Sequence, residues 1–198
     1  MWERKLRGEK TEMNNRQKGF SLIELLIVVA IILIIAAIAI PNLMRAKIAA
    51  NQSAAVGNLR TISSAEATFS STYNDGYATS LGAIGDSTAG AGPASCTNAM
   101  LIDEVLSGGG GTAVQSQKSG YQYNFTPNAV PALTTGIPAG CGGSGDTGFS
   151  VSATPLATST GTTGYCIDES GVIRVDINET PLTPIPAPCA TSGKPPLQ

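Results

Sequence analysis

Glu24 is the only charged residue in a run of 21 residues, 20–40, that is otherwise apolar except for Ser21. A carboxylate held in hydrocarbon costs on the order of 2.5–3.5 kcal/mol even on the gentler insertion scales, so its presence needs a reason. The other residues with chemistry to offer are four cysteines, Cys96, Cys141, Cys166 and Cys189, all beyond the apolar run. None has the close C-x-x-C spacing of a zinc site, and an even count in a small Gly/Ser/Thr-rich domain favours two disulfides and an oxidising compartment over four buried thiols. The chain has no histidine, no clustered carboxylates and no glycine-rich phosphate loop after a strand. The usual acid-base, metal and nucleotide constellations are therefore absent, and the sequence reads as a non-enzyme with no cofactor. Asp168 and Glu169 near Gly171 offer too few acids for a calcium loop and suit an ordinary hairpin turn.

The element that must position Glu24 is a helix. At about 1.5 Å per residue, 21 residues span roughly 31 Å, the hydrocarbon thickness of a bilayer. Residues 1–19 hold six Lys/Arg against three acids, a net +3, and the remainder holds six against eleven, a net −5. Six cations before the helix against Arg45 and Lys47 after it predict a cytoplasmic N-terminus. If translation starts at Met13 the tally is two against two, and orientation then rests on the cysteines, which want an oxidising exterior. The run is too long for a signal-peptide core, and residues 41–45 (Pro-Asn-Leu-Met-Arg) close no A-x-A cleavage site. With only 13% charged residues and no basic patch on an acidic remainder, nucleic acid has little electrostatic reason to bind.

Lys18-Gly19-Phe20-Ser21-Leu22-Ile23-Glu24-Leu25-Leu26 resembles the N-terminal signature of type IV prepilins and of the pseudopilins of type II secretion systems, and Pro41 is similar to a proline common at the end of that family's membrane segment. The resemblance covers residues 18–76 well and the remainder only in layout. It implies cleavage between Gly19 and Phe20 by a prepilin peptidase, N-methylation of the new Phe20 amine, and pairing of Glu24 with the amine of a neighbouring copy in a helical filament. That amine is ordinarily protonated near neutral pH, with a pKa of about 7.7–8.0, and Glu24 lies one helical turn away from it. The implied partners are copies of itself, the peptidase/N-methyltransferase, a pilus or secretion assembly platform and the inner membrane. A short leader from Met13, Phe20 at the mature start and a paired-cysteine outer domain favour a pilus subunit. The alternatives are a pseudopilin, whose acidic calcium loop is not evident in residues 180–198, and a membrane-anchored periplasmic binding module.

Beyond Pro41, which should kink or open the helix, Ile48, Ala55, Leu59, Ile62, Phe69 and Tyr73 recur at helical period, with Gln52 and Glu66 in the skipped places. One helix is predicted from Phe20 to about Asn74, with 41–57 as the stretch able to extend or melt in a filament. The fold expected is α+β: a long N-terminal helix, membrane-spanning in its first half, on a small antiparallel sheet of about four strands. The divisions are a leader (1–19), assembly helix (20–41), amphipathic half (42–76), connection with a short helix at 95–106 (77–119), sheet (120–179) and Pro-rich tail (180–198), the tail extended outside the sheet. Strands are expected at 120–126, 148–153, 164–167 and 172–176, with residues 140–148 and 158–163 as exposed turns. Of three disulfide pairings, Cys96–Cys141 with Cys166–Cys189 is the one expected, the latter pinning the tail.

Overall fold

Residues Leu22–Tyr73 form a single α-helix of 52 residues, α1, in the computed structural model, which describes residues 19–86, 93–128, 141, 146–176, 189 and 195–197. Pro41 lies inside α1. The helix stops where expected: Asn74 (φ 50°) and Gly76 (φ 82°) take left-handed conformations, which asparagine tolerates and glycine adopts freely. The chain forms two compact units, residues 1–42 and 43–198.

In the second unit, the predicted stripe of α1 is covered. Ala55, Leu59, Ile62, Ala65 and Phe69 form one buried cluster with Tyr121, Tyr123, Phe125, Phe149, Val151, Ala153, Tyr165 and Ile167 of the sheet. Polar groups on the same helix fasten its flanks. Asn51 donates to the Thr160 carbonyl (2.9 Å), Gln52 to the Thr162 hydroxyl (3.2 Å) and Asn58 to the Tyr123 hydroxyl (2.8 Å).

The sheet has five antiparallel strands in sequence order, one more than expected: β1 (Gln115–Lys118), β2 (Tyr121–Asn128), β3 (Gly148–Pro155), β4 (Gly164–Asp168) and β5 (Arg174–Asp176). The unforeseen strand is β1, whose Gln-Ser-Gln-Lys sequence has no apolar alternation because it lies at the sheet edge. It is joined to β2 through Ser119 (φ 53°) and Gly120 (φ 75°), the two positive-φ residues of a tight hairpin turn that places Lys118 opposite Tyr121. Register then brings Phe125 beside Val151 and Val151 beside Ile167 on the helix-facing side.

Three further expectations are corrected. No helix spans residues 95–106. Met100 there has φ 55°, which ends any helical run, and the helices are instead α2 (Leu81–Ile84), capped by Ser80, and α3 (Glu104–Ser107), capped by Asp103 and Gly108. Accordingly Ala99, Ile102 and Leu106 are buried while Met100 and Val105 are exposed. Residues 158–163 are not a free turn, because Gly161 is buried against Tyr121, whose hydroxyl donates to the Thr163 carbonyl at 2.9 Å. Likewise Asp146 and Gly148, expected in an exposed link, are buried; residues 140 and 142–145 of that link lie outside the described residues.

The tail also departs from expectation. Val175 N–H donates to the Pro195 carbonyl (3.0 Å) and Leu197 N–H to the Ile173 carbonyl (2.8 Å), so residues 195–197 extend the sheet beyond β5. Proline at 195 and 196 is tolerated because this is an edge, where one side needs no donor. Cys189 reaches Cys166 on β4, with Cα atoms 5.9 Å apart, and the pair is buried in a small cluster separate from the main core. Cys96 is bonded to Cys141, with Cα atoms 5.6 Å apart.

Removing the Cys166–Cys189 bond as Cys166→Ala/Cys189→Ala should cost about 2–4 kcal/mol of stability. Hydrogen exchange at the Val175 and Leu197 amides should accelerate before that of β2 and β3; equal protection in both proteins would show that the bond does not hold the tail.

Candidate assembly and processing site

Among the described residues of the first unit, 19–42, the helix surface is apolar with one acid, Glu24. Gly19 and Phe20 precede α1 in non-helical conformation, and the first helical hydrogen bond runs from Leu25 N–H to the Ser21 carbonyl at 3.2 Å. Gly19 is exposed, with nothing within 4 Å of where a Cβ would stand. The Gly19–Phe20 peptide is thus neither folded into the helix nor shielded by side chains. Phe20 is 77% exposed, and the apolar side chains from Leu22 to Met44 are uncovered around the helix rather than along one stripe. By length and composition α1 can cross a membrane.

Glu24 is exposed in the first turn of α1 and has no partner among the described residues. The free N–H groups at a helix start favour a carboxylate there by typically 0.3–1 kcal/mol, less than the cost of taking it into hydrocarbon. An α-amine made at Phe20 would be four residues, or about 6 Å of helix rise, from it. Pro41 lacks the N–H that would complete one rung of the helix, a local weak point at the far end of the apolar run.

Sequence reasoning placed Glu66 in the stripe of α1 and stopped there. In the structure its side chain is fully buried, with Oε2 accepting from Ala78 N–H at 2.8 Å and Oε1 without a hydrogen-bond partner. Burial, reinforced by the nearby Asp146 carboxylate, pushes Glu66 up to about 8 from an ordinary 4.5, against the lowering effect of the Ala78 bond. Asp146 is also raised by burial, and its backbone exchanges two hydrogen bonds with Tyr77 (2.8 and 3.0 Å). Glu66 therefore joins the C-terminal end of α1 to the chain leaving it. Its only sequence signal was an acid in an otherwise apolar stripe. Among the described residues no group of three His, Cys, Asp or Glu is arranged to hold a metal ion.

Residues 14–40 match the family model of the prokaryotic N-terminal methylation motif. One relative is the type IV major pilin protein PilA of Myxococcus xanthus, 49% identical over 59 residues, which are 30% of this chain and 27% of that protein. The match spans little more than a quarter of the relative's length. No solved structure matches the chain. The motif and the long helix on an antiparallel sheet together give an α+β, pilin-like layout.

The raised Glu66 fixes the sign of a pH effect. Between about pH 4.5 and 8 the unfolded chain releases a proton that the folded chain keeps, so stability falls as pH rises and levels off above 8. Full-length Glu66→Gln in detergent micelles, which retains an acceptor for Ala78, should show a shallower slope, the raised Asp146 keeping its own share, and melt a few degrees above wild type at pH 8. Identical pH profiles for the two proteins would refute the assignment.

Proposed function

We propose that this chain is a structural subunit of a type IV pilus, cut between Gly19 and Phe20 by a prepilin peptidase, N-methylated on Phe20 and polymerised through the first half of α1. The observation that carries this reading is an uncovered apolar helix, interrupted by a single acid, inside a methylation motif. Before assembly the helix sits in the inner membrane, with the leader cytoplasmic and the disulfide-bonded domain outside. Packing copies side by side covers apolar surface that no part of the single chain's described residues covers. In that setting Glu24 meets the Phe20 amine of a neighbour, and an out-of-register neighbour would leave a charge buried without a partner. Pro41 gives residues 41–57 a place to loosen as copies pack.

Cells making Glu24→Ala as the sole subunit should insert and cut it normally yet yield surface filaments reduced at least about tenfold, the scale set by leaving one buried charge unpaired. Electron microscopy of sheared fibres with N-terminal mass analysis checks both steps. Fibres that begin with methylated Phe20 support the reading; abundant wild-type-length fibres from Glu24→Ala would sink the role given to that acid.

A further inference from the structure

Where the chain leaves α1 it encloses a cavity that the filament reading does not use. The cavity lies in the second unit, holds about 160 Å³ and is walled by the helix exit, α2, Cys96 with Thr97, and the turn at Gly111 and Thr112. Hydrogen bonds within the fold fix its frame. Tyr77 exchanges two backbone bonds with Asp146 (2.8 and 3.0 Å), the Ser80 hydroxyl donates to the Gly111 carbonyl (2.9 Å) and accepts from Ala83 N–H (3.1 Å), and Ala99 N–H donates to the Ala83 carbonyl (2.8 Å). The Cys96–Cys141 bond holds the remaining side. A site framed in this way costs little to order when a ligand enters.

The lining is uneven in its chemistry. Asp75 is 5% exposed, its Oδ1 has no hydrogen-bond partner, and it forms no ion pair among the described residues. A carboxyl group taken out of water without a partner is costly, and a ligand that supplies one recovers that cost. No Lys, Arg or His lines the cavity, and behind its Tyr77 wall the buried Asp146 has a second unmatched oxygen, Oδ2, so anions are disfavoured. The walls beside Asp75 are apolar or aromatic, from Phe69, Tyr77, Ala78 and Ala83, while Thr79, Thr97 and Thr112 are exposed at the rim. One acid among such walls selects between kinds of cation. A divalent metal ion takes about six or more oxygen ligands, and among the described residues no three His, Cys, Asp or Glu are arranged to hold one. A primary ammonium is satisfied by one strong acceptor, its methylenes by the apolar walls, and aromatic rings attract organic cations. At roughly 30 Å³ per water the cavity has room for about five waters, or for a ligand of about five non-hydrogen atoms.

We propose that this cavity binds the ammonium end of a short primary alkylamine, with Asp75 as its counter-ion and Phe69, Ala78 and Ala83 around its stem. The site lies wholly within the second unit of one chain, so it does not rest on the filament reading. Full-length protein in detergent micelles, titrated with n-butylammonium chloride at constant ionic strength, should bind it with a Kd on the order of 1–10 mM, the range open to so small a ligand. The readout is a set of saturable amide shifts in the NMR spectrum, confined to the residues that wall the cavity. Asp75→Asn, which keeps the shape and removes the charge-assisted hydrogen bond, should weaken binding at least about tenfold. Thr97→Trp, at the exposed rim, should block entry while the melting temperature stays at the wild-type value. n-Butanol and sodium butyrate, with a similar stem and a neutral or a negative head, should each bind at least about tenfold more weakly than n-butylammonium. Absence of saturable binding by the wild type overturns the proposal, as does a folded Asp75→Asn or Thr97→Trp chain that binds as tightly as wild type. Equal affinity for n-butanol would make the cavity merely apolar, and saturable shifts with magnesium or calcium chloride but none with n-butylammonium would make it a metal site; either result also overturns it. If Asp75→Asn does not fold, Thr97→Trp and the comparison of the three head groups decide the matter.

Discussion

Apolar helix surface must be covered, and α1 meets that requirement in two different ways. Seventeen large apolar side chains from Phe20 to Met44 are exposed, whereas Ala55, Leu59, Ile62 and Phe69 are nearly or wholly buried. Covering a large apolar side chain is worth roughly 1.5–3 kcal/mol, so the uncovered part represents tens of kcal/mol that only lipid or other helices can supply. The stripe is satisfied within the chain by the sheet's aromatic and branched residues. A narrow stripe needs one wall; a surface apolar on all sides needs a surrounding medium.

The polar residues of α1 in the second unit sit where a purely apolar stripe would leave backbone or hydroxyl groups unmatched. Asn51 and Gln52 bind the link after β3, Asn58 binds Tyr123, and Glu66 takes the Ala78 N–H just past the helix exit. Apolar packing resists separation of helix and sheet but tolerates sliding; these bonds are directional, so they fix the height of the helix on the sheet. Glu66 does this while keeping a proton, which removes most of the penalty of burying a carboxyl group.

How much was legible in the sequence follows from how far each signal is local. The 21-residue apolar run, the heptad-like stripe and the Asn74-Asp75-Gly76 stop are local patterns, and α1 was readable almost to the residue. Aromatic alternation likewise marked β2. By contrast β1 is a polar edge strand whose only clue was Ser119-Gly120, and α2 is four residues long, too short for any period to show. The helix expected over 95–106 failed because Met100 adopts a conformation that propensity disfavours and tertiary contacts impose. At the candidate site, Glu24 stood out because a charge in an apolar run is conspicuous, and Gly19 and Phe20 only through the resemblance of residues 18–26 to a prepilin signature. Glu66 did not, because burial of an acid in the second unit depends on Ala78 and Asp146, whose approach only the fold reveals.

A long apolar surface supplies cohesion but little choice of position, because hydrophobic burial has no direction and sliding one helix along another changes the area covered only slightly. Register has to come from groups that are costly when misplaced. In the first unit the described apolar run holds one such group, Glu24; under the proposed filament reading a second acid would create a competing register, and none would leave register to side-chain shape alone. The same logic separates its role from that of Glu66. Under the proposed filament reading Glu24 meets its partner in another chain and is exposed in the single chain, whereas Glu66 closes a contact within its own chain and is buried there. The structure places one of each on a single helix, the exposed acid near the start of the membrane-length run and the buried acid beyond its end.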